Sequence, residues 1–166
     1  MTDSTDIWAT TALAVSPADP GAELSKAVAL REQVLRMTQT AEDAVLKPAD
    51  PGGWPLDLRA ALASRVARLN QCPELATHYQ SIMQQNEYAA IADPNSTDVP
   101  ENLKPCLAFI DRAAVEPAEM TEDDIRTLQS AGITDADIVR LSELNAFLAY
   151  QVRLVATLSL LSESKP

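Results

Sequence analysis

Apolar residues recur every three or four positions along most of the chain, which is the pattern of a helix with one buried face. Over residues 23–39 this pattern predicts one helix, and its apolar positions are Leu24, Ala27, Val28, Leu30, Val34, Leu35 and Met37. The residues TAED at 40–43 are typical of an N-cap and first turn, so we expect a short second helix there. The residues KPADPGGWP at 47–55 end it, because proline and glycine interrupt helices.

Two helices are predicted to meet at Cys72. The first opens at Pro55 and ends near Asn70 or Gln71. Its buried face is marked by Leu58, Leu62, Val66 and Leu69, and its other sides carry Arg59, Arg65 and Arg68. Pro73 suits the first position of the second helix, which puts Cys72 at its N-cap and takes the helix to about Ala90.

The C-terminal half predicts three further helices after a loop at 93–105. One covers 106–114, a second starts at TEDD, 121–124, and ends at Gly132, and a long third runs from about 135 to 161. No strand is predicted, so we expect an all-α fold of about seven helices. Residues 21–166 form a single helical domain, and residues 1–20 form a mobile or loosely docked N-terminal arm, which Ile7, Trp8, Leu13 and Val15 can attach.

The long last helix is almost free of charge, since only Arg153 is charged between Leu144 and Leu161. These eighteen nearly uncharged residues are long enough to raise the question of a membrane span. Polar residues and the lack of a flanking basic cluster argue against it; the polar residues are Asn145, Gln151, Thr157 and Ser159. We expect this helix to lie in the core or at a subunit interface.

Composition narrows the functional classes. Apolar residues make up 46% of the 166 residues and aromatic residues only 4%, which favours packed helices over a β-sandwich. The net charge of −11 opposes binding to nucleic acid or to an anionic membrane. The N-terminus has no secretory signal pattern, and two cysteines are too few for a disulfide framework, so we expect a cytoplasmic protein.

Cys72 and the single histidine, His78, are the first candidates for chemistry. A thiol at a helix N-terminus lies at the positive end of the helix dipole, which lowers its pKa below about 8.5. Six residues along one helix correspond to roughly 240° of rotation, so the two side chains do not face each other. The alternatives are a buried structural thiol and a surface pair between His78 and Glu74.

Other common sites have too few residues. One histidine and two separated cysteines do not supply the three or four ligands of a zinc site. The chain has no Gly-x-Ser-x-Gly elbow and no glycine-rich phosphate loop. We therefore predict no metal and no cofactor.

Two stretches carry a resemblance to a known family. LRAALASRVARLNQCPELATHY, 58–79, resembles the active-site helix pair of the carboxymuconolactone decarboxylase superfamily, in its alkylhydroperoxidase (AhpD-like) branch. Residues 106–158 resemble the C-terminal half of that branch. The matching positions there are Thr121, Asp124, Leu128, Gly132, Ile138 and Arg153. The resemblance covers roughly residues 25 to 162 and implies an AhpD-like helical bundle.

The redox motif of that branch is incomplete in this chain. The motif has a Glu followed by Cys-x-x-Cys-x-x-x-His, often with an additional His just before the last. Cys72 takes the first Cys position and Leu75 the second. Tyr79 takes the position of the motif His, and His78 that of the additional His. Ala60 replaces the Glu, and Asp57, one turn earlier, is only a weak substitute.

These departures bear on the mechanism that the resemblance implies. Peroxide reduction needs an attacking thiolate, a second thiol that resolves the sulfenate, and a Glu/His proton relay. Leu75 cannot resolve a sulfenate, and Tyr79, with an ordinary pKa near 10, is no base at pH 7. Cys106 can replace the second thiol only if its Cα lies within about 7 Å of that of Cys72.

Three functions stay open. The first is an AhpD-like protein with little or no two-cysteine peroxidase activity, which acts as a homo-oligomer or with a complete AhpD-like homologue. The second is a thiol-dependent peroxidase, a peroxiredoxin-like oxidoreductase, that uses Cys72 with His78 as base. The third is a decarboxylase or lyase that binds a lactone acid through Arg153, with Tyr79 and His78 around the pocket. The expected small molecule is thus a peroxide or a lactone acid.

Overall fold

The computed structural model describes residues 6–16 and 21–163, and every regular element within them is a helix. No strand occurs in this part of the chain, so the predicted all-α class is confirmed. Seven α-helices of nine or more residues follow one short helix, in agreement with the predicted number. The α-helices are α1 (Thr11–Ala14), α2 (Gly21–Leu30), α3 (Glu32–Leu46), α4 (Leu56–Leu69), α5 (Pro73–Ser81), α6 (Lys104–Val115), α7 (Glu122–Ser130) and α8 (Asp135–Glu163). The 3-10 helices are Ile7–Ala9, Asn86–Ala92, Glu101–Leu103 and Pro117–Glu119.

Helix α4 lies at the centre of the molecule, where α3, α5, α6 and α8 pack against it. All ten residues from Leu58 to Ala67 are buried, and eight of them have small or apolar side chains. Arg59 and Arg65 are among them, so their predicted place outside the buried face is wrong. Of the three arginines, Arg68 alone is exposed.

The buried arginines of α4 tie loops to the core. Arg59 donates hydrogen bonds to the carbonyl oxygens of Val45, Pro51 and Trp54 at 2.7–2.9 Å. A buried charge must be paired or hydrogen-bonded, and here backbone carbonyls fill that role. The segment between α3 and α4 is thereby held against α4.

The helix boundaries in the first half differ from those predicted. A break at Arg31 (φ −115°, ψ 12°) separates α2 from α3, where one helix was predicted. No helix starts at Thr40, because α3 runs through it to Leu46. The break lets each helix turn its own apolar side inward, with Leu24 and Val28 buried from α2 and Leu35 from α3.

Helix α5 ends at Ser81, well before the predicted end at Ala90. The backbone N–H groups of Gln84 and Gln85 donate to the carboxylate of Asp57 at 3.0 and 2.9 Å. In a continued helix these groups would bond to carbonyls one turn earlier. Asp57 therefore acts as a structural cap, and residues 86–92 form a 3-10 helix instead.

The C-terminal boundaries agree with the predictions. Thr121 and Asp124 form a reciprocal capping box at the start of α7. Gly132 follows α7 with φ +84°, a conformation that favours glycine. α8 then begins at Asp135, and its first turn is joined to the loop before α4 by a hydrogen bond from Gly53 N–H to Asp137 Oδ1 of 2.9 Å.

Part of the predicted N-terminal arm is helical and lies against α3 and α8. Ala12 and Leu13 are buried in the core, and Ile7, Trp8 and Val15 pack against it while half-buried. Residues 1–5 and 17–20 of the arm lie outside the described residues. The arm is thus docked over 6–16.

Among the described helices, α8 alone is long and apolar enough to cross a membrane, with a mean hydropathy of 1.4 over its most apolar window. It packs against α1, α3, α4 and α6. The core side chains that it contributes are Ile138, Leu141, Leu144, Leu148, Val152, Val155 and Leu158. These side chains place one face of α8 in the core, as predicted, and the rest of its surface lies outside the core, since 39% of that window is buried.

Candidate functional site

The turn between α4 and α5 positions Cys72. Gln71 has a positive φ of 58°, and Cys72 N–H donates to the carbonyl of Ala67 at 2.9 Å. Cys72 is the N-cap of α5, as predicted, and its carbonyl accepts the N–H of Ala76 at 3.0 Å. The residue is only 7% exposed. The local sequence therefore builds the predicted helix start, with the thiol turned into the core.

Burial raises the pKa of the Cys72 thiol, and the charge of Glu74 adds to the increase. The backbone N–H of Leu75 opposes both effects without reversing them. The lowered pKa predicted from the helix dipole is therefore wrong. Desolvation penalises the thiolate more than the short helix stabilises it, so the Cys72 thiol is protonated at neutral pH.

His78 and Tyr79 lie side by side in the second turn of α5. Their rings form an edge-to-face contact with centroids 5.4 Å apart. Burial, with a smaller effect of Lys47, lowers the pKa of His78, which keeps the imidazole neutral at pH 7. Its Nε2 is 3.5 Å from Thr11 Oγ1 of the N-terminal arm. Among the described residues no hydrogen bond joins it to Cys72.

Tyr79 is fully buried and faces a carboxyl group that the sequence analysis missed. Glu42, on α3, is 2% exposed, and Gln151 Nε2 of α8 donates to its Oε2 at 3.0 Å. Glu42, Tyr79 and Gln151 form the Glu42 cluster. The resemblance placed the proton-relay carboxyl at the position of Ala60, which is buried on α4. The carboxyl beside Tyr79 comes from a different helix.

Burial raises the pKa of Glu42, and the neighbouring Asp43 adds to the increase. Polar contacts from Thr11, Gln151 and Tyr79 partly oppose it. The pKa of Tyr79 is raised first by burial and then by the charge of Glu42. The cluster thus holds a carboxyl whose pKa is raised above its usual range beside a phenol that stays neutral.

Two polar atoms of the Glu42 cluster have no hydrogen-bond partner, namely Tyr79 Oη and Gln151 Oε1. Tyr79 Oη faces Glu42 and Gln151 but reaches neither with hydrogen-bond geometry. The N-terminal arm closes the cluster, since Thr11 N–H donates to Gln39 Oε1 of α3 at 2.8 Å. Buried polar atoms are usually paired, so this cluster departs from ordinary core packing.

The two cysteines are not joined by a disulfide in this structure. Cys106, on α6, is buried and free, and Cys72 is also free. Burial raises the pKa of Cys106 to about 11. Leu75, which the resemblance places at the position of a second cysteine, is fully buried in the core. No group of three or more metal-ligating side chains exists within residues 6–16 and 21–163.

Arg153 lies apart from these residues, at the edge of a cleft between α6, α7 and α8. It is exposed, and none of the ion pairs within the described residues involves it. Neither Cys72, His78 nor Tyr79 lines this cleft. The structure therefore brings Cys72, His78 and Tyr79 into one region and leaves Arg153 in another.

Helical spacing carried a signal for Glu42. The buried positions of α3 are Leu35, Thr38, Glu42 and Leu46, which are spaced by three and four residues. Once α3 is recognised as one helix, this spacing places Glu42 on its buried face.

No protein-family model, no curated protein and no solved structure matches the chain.

Proposed function

We propose that the chain is an AhpD-like cytoplasmic protein without two-cysteine peroxidase activity that acts as a homo-oligomer or with a complete homologue. One observation supports the absence of peroxidase activity. The Cys72 thiol is buried and its pKa is raised, and Leu75 stands where the resemblance places the second thiol. The all-helical architecture and the capping box at Thr121 agree with the helical bundle that the resemblance implies. Both features also occur in unrelated helical proteins.

The chemistry explains why these features oppose peroxidase turnover. A thiolate attacks one oxygen of the peroxide, the O–O bond breaks, and the products are a sulfenic acid and an alcohol. A second thiol must then displace water from the sulfenic sulfur to form a disulfide. The raised pKa of Cys72 removes the nucleophile, and Leu75 removes the second step.

Assembly is supported by exposed apolar side chains where α3 meets α8. Thr38 Oγ1 donates to the carbonyl of Val34 at 3.0 Å and lies 2.8 Å from Tyr150 Oη. Val34, Met37 and Tyr150 are 41%, 63% and 43% exposed, and we name them the α3–α8 patch. Clustered exposed apolar residues are typical of protein–protein contacts.

The alternative function is a one-cysteine peroxidase that uses Cys72 and is reduced by an external thiol. One observation favours it: the lowered pKa keeps His78 in its basic form at neutral pH. It requires a motion that exposes Cys72 to peroxide. The first function requires no such motion.

The test is the pH dependence of Cys72 alkylation in a Cys106→Ser background, followed by addition of hydrogen peroxide. We expect slow alkylation at pH 7, a rate that is still rising with pH at pH 9 because the thiolate has not fully formed there, and no peroxide consumption. The matched control is Cys72→Ser, which retains Cys106 alone. A thiolate that forms below pH 7 and oxidises reversibly would overturn the proposal in favour of the one-cysteine peroxidase.

Native mass measurement tests the assembly. Met37→Glu puts a charge on the α3–α8 patch, and we expect it to lower the mass of the assembly. Val115→Glu is the matched control, because Val115 is 49% exposed on α6 and lies outside the patch. A monomeric wild-type protein that binds no homologue would contradict this part of the proposal.

A further inference from the structure

A cleft of about 640 Å³ lies between α6, α7 and α8, on elements that do not include Cys72. Its size is within the range of small-molecule sites. Phe109 of α6, with Met120 and Ile125 on the α7 side, forms its apolar walls. Alanines of α6 and α8 form much of the rest, and they are Ala113, Ala114, Ala146 and Ala149. These small side chains leave a space between the helices that an apolar ring can fill.

Most polar side chains that line the cleft already have partners. Thr121 belongs to the capping box of α7, and Ser142 Oγ donates to the carbonyl of Ile138 at 2.9 Å. Glu122 pairs with Arg126 at 2.7 Å, so its charge is balanced. A ligand would gain little from these groups.

Asn145 lines the same cleft and lacks such a partner. It is only 6% exposed, and its Oδ1 forms no hydrogen bond. It lies three positions after Ser142 and four before Ala149, so all three residues share the face of α8 that lines the cleft. A buried acceptor without a partner costs stability. Because the χ2 torsion of asparagine has a broad range, Oδ1 can turn toward a donor in the cleft.

The unpaired Oδ1 of Asn145 defines the polar group of the ligand, which has to be a hydrogen-bond donor. A carboxylate is the wrong group, because an ionised carboxylate only accepts. An ammonium group would place a second positive charge in an apolar cleft whose exposed edge already carries Arg153. Glu122 does not offset that charge, since it is paired within the protein. A neutral hydroxyl fits these conditions.

The walls of the cleft favour an aromatic body for this hydroxyl compound. Phe109 can contact a second ring edge to face, and the thioether of Met120 makes favourable contacts with aromatic rings. A phenol also stays neutral at pH 7, because its pKa is about 10 in the tyrosine side chain.

We propose that this cleft binds a small neutral phenol, whose hydroxyl donates to Asn145 Oδ1 and whose ring lies between α6 and α8. Arg153, at the exposed edge, takes no part in binding. The site is separate from the Cys72 region, and it does not depend on the proposed loss of peroxidase activity.

The experiment is calorimetric titration of the full chain at pH 7 with 4-propylphenol and with 4-propylanisole, its methyl ether. The ether keeps the ring and the oxygen but lacks the donor. We expect the phenol to bind about fivefold more tightly or better, because it alone can pair with Asn145 Oδ1. Arg153→Met should leave the affinities for both probes unchanged.

Asn145→Leu removes the acceptor and keeps a side chain of similar size, so we expect it to bind the phenol and the ether equally. It should fold, because an apolar group replaces an amide oxygen that has no partner to lose. Ser142→Ala is the matched control on the same face of α8, and it should keep the preference for the phenol, since Ser142 Oγ is already bonded to Ile138. Circular dichroism establishes that each variant is folded.

Ala149→Phe fills the cleft, and we expect it to abolish binding of both probes. No binding at millimolar 4-propylphenol, or equal binding of the two probes to wild type, overturns the proposal without any variant. A preference for the phenol that persists in Asn145→Leu, or phenol binding that is lost in Arg153→Met, also overturns it. Cys72→Ser should leave phenol binding unchanged, which separates this site from the thiol.

Discussion

Gln151 Nε2 donates a hydrogen bond to Glu42 Oε2 at 3.0 Å, and this bond joins α8 to α3 inside the protein. Both side chains are buried, at 2% exposure for Glu42 and 0% for Gln151. A slip of one helix by a turn would leave both without a partner, which is costly in a core. The bond therefore specifies how α3 and α8 meet.

Glu42→Gln should make the protein more stable at pH 7 and flatten the dependence of its stability on pH. Since burial raises the pKa of Glu42, the folded protein binds this proton more tightly than the unfolded chain. The contribution of Glu42 is complete below its unfolded pKa, near 4.5, and is lost as the pH rises through the folded pKa. Urea unfolding of both proteins between pH 4 and pH 8 measures the difference.

Glu116→Gln is the control for that experiment, because Glu116 is exposed after α6 and its replacement removes the same charge. We expect this variant to follow the wild-type curve. If Glu42→Gln also follows the wild-type curve at every pH, folding does not raise the pKa of Glu42, and the effect assigned to its burial is wrong.

The local signals of the second half predicted its helices well. Thr121 and Asp124 cap α7, and Gly132 ends it, because each of these effects depends on residues within one turn. The break at Arg31 has no such signal, since neither glycine nor proline stands there. It follows from the way α2 and α3 pack, which the periodicity of a single segment does not contain.

Gly52→Ala should destabilise the protein by more than the strain of its backbone alone. Gly52 has φ +59°, and an added Cβ would lie 2.4 Å from Asp137 Oδ1. The positive φ costs about 1–2 kcal/mol for alanine, and the contact adds to this cost. Thermal unfolding should show a larger loss than in Gly132→Ala.

Gly132→Ala is a matched comparison because Gly132 has φ +84° and no atom lies within 4 Å of its added Cβ. It therefore measures the backbone strain without the clash. Equal losses in the two variants would show that Asp137 and Arg140 move aside without cost.

Asp111→Ala should destabilise the protein by roughly 3 kcal/mol, because it leaves the charge of Arg65 buried without a carboxylate. Arg65 Nε and Nη2 contact the two oxygens of Asp111 at 2.5 and 2.6 Å. Arg65 also donates to the carbonyl oxygens of Ile91 and Asp93. Denaturant unfolding gives the loss.

Asp123→Ala removes an exposed carboxylate from Arg126 and should cost no more than about 1 kcal/mol. A similar loss of stability in both variants would mean that the hydrogen bonds to backbone carbonyls, and not Asp111, stabilise the buried charge of Arg65.

A charged residue is normally exposed, so composition alone could not predict the burial of Arg65. Its partner, Asp111, lies on α6, 46 residues away in sequence.

The candidate site was predictable only in part. Pro73 predicted the N-cap position of Cys72, and the predicted helix placed His78 and Tyr79 in its second turn. The sequence did not predict the raised pKa of Cys72, because that pKa depends on how completely α4 and α5 exclude water from the turn between them. Glu42 comes from α3, and only the packed structure brings it to Tyr79.

His78 allows a direct measurement, because the chain has one histidine and the two carbon-bound protons of its ring are the only imidazole signals in proton NMR. We expect its pKa to lie below the ordinary value of 6.5, since burial and Lys47 both disfavour the charged ring. Lys47→Met removes the smaller of these two effects and should raise the pKa. Lys26→Met is the control, because Lys26 is exposed on α2 and pairs with Glu23.

Leu13→Ser tests the larger effect on His78. It weakens the packing of α1, which places Thr11 beside the imidazole, so water should reach the ring and raise its pKa further than Lys47→Met does. The rate of Cys72 alkylation in the same variant shows whether the arm also shields the thiol. If the pKa of His78 stays at its wild-type value in Leu13→Ser, α4 and α5 alone bury the ring, and the arm is not the cover of this region.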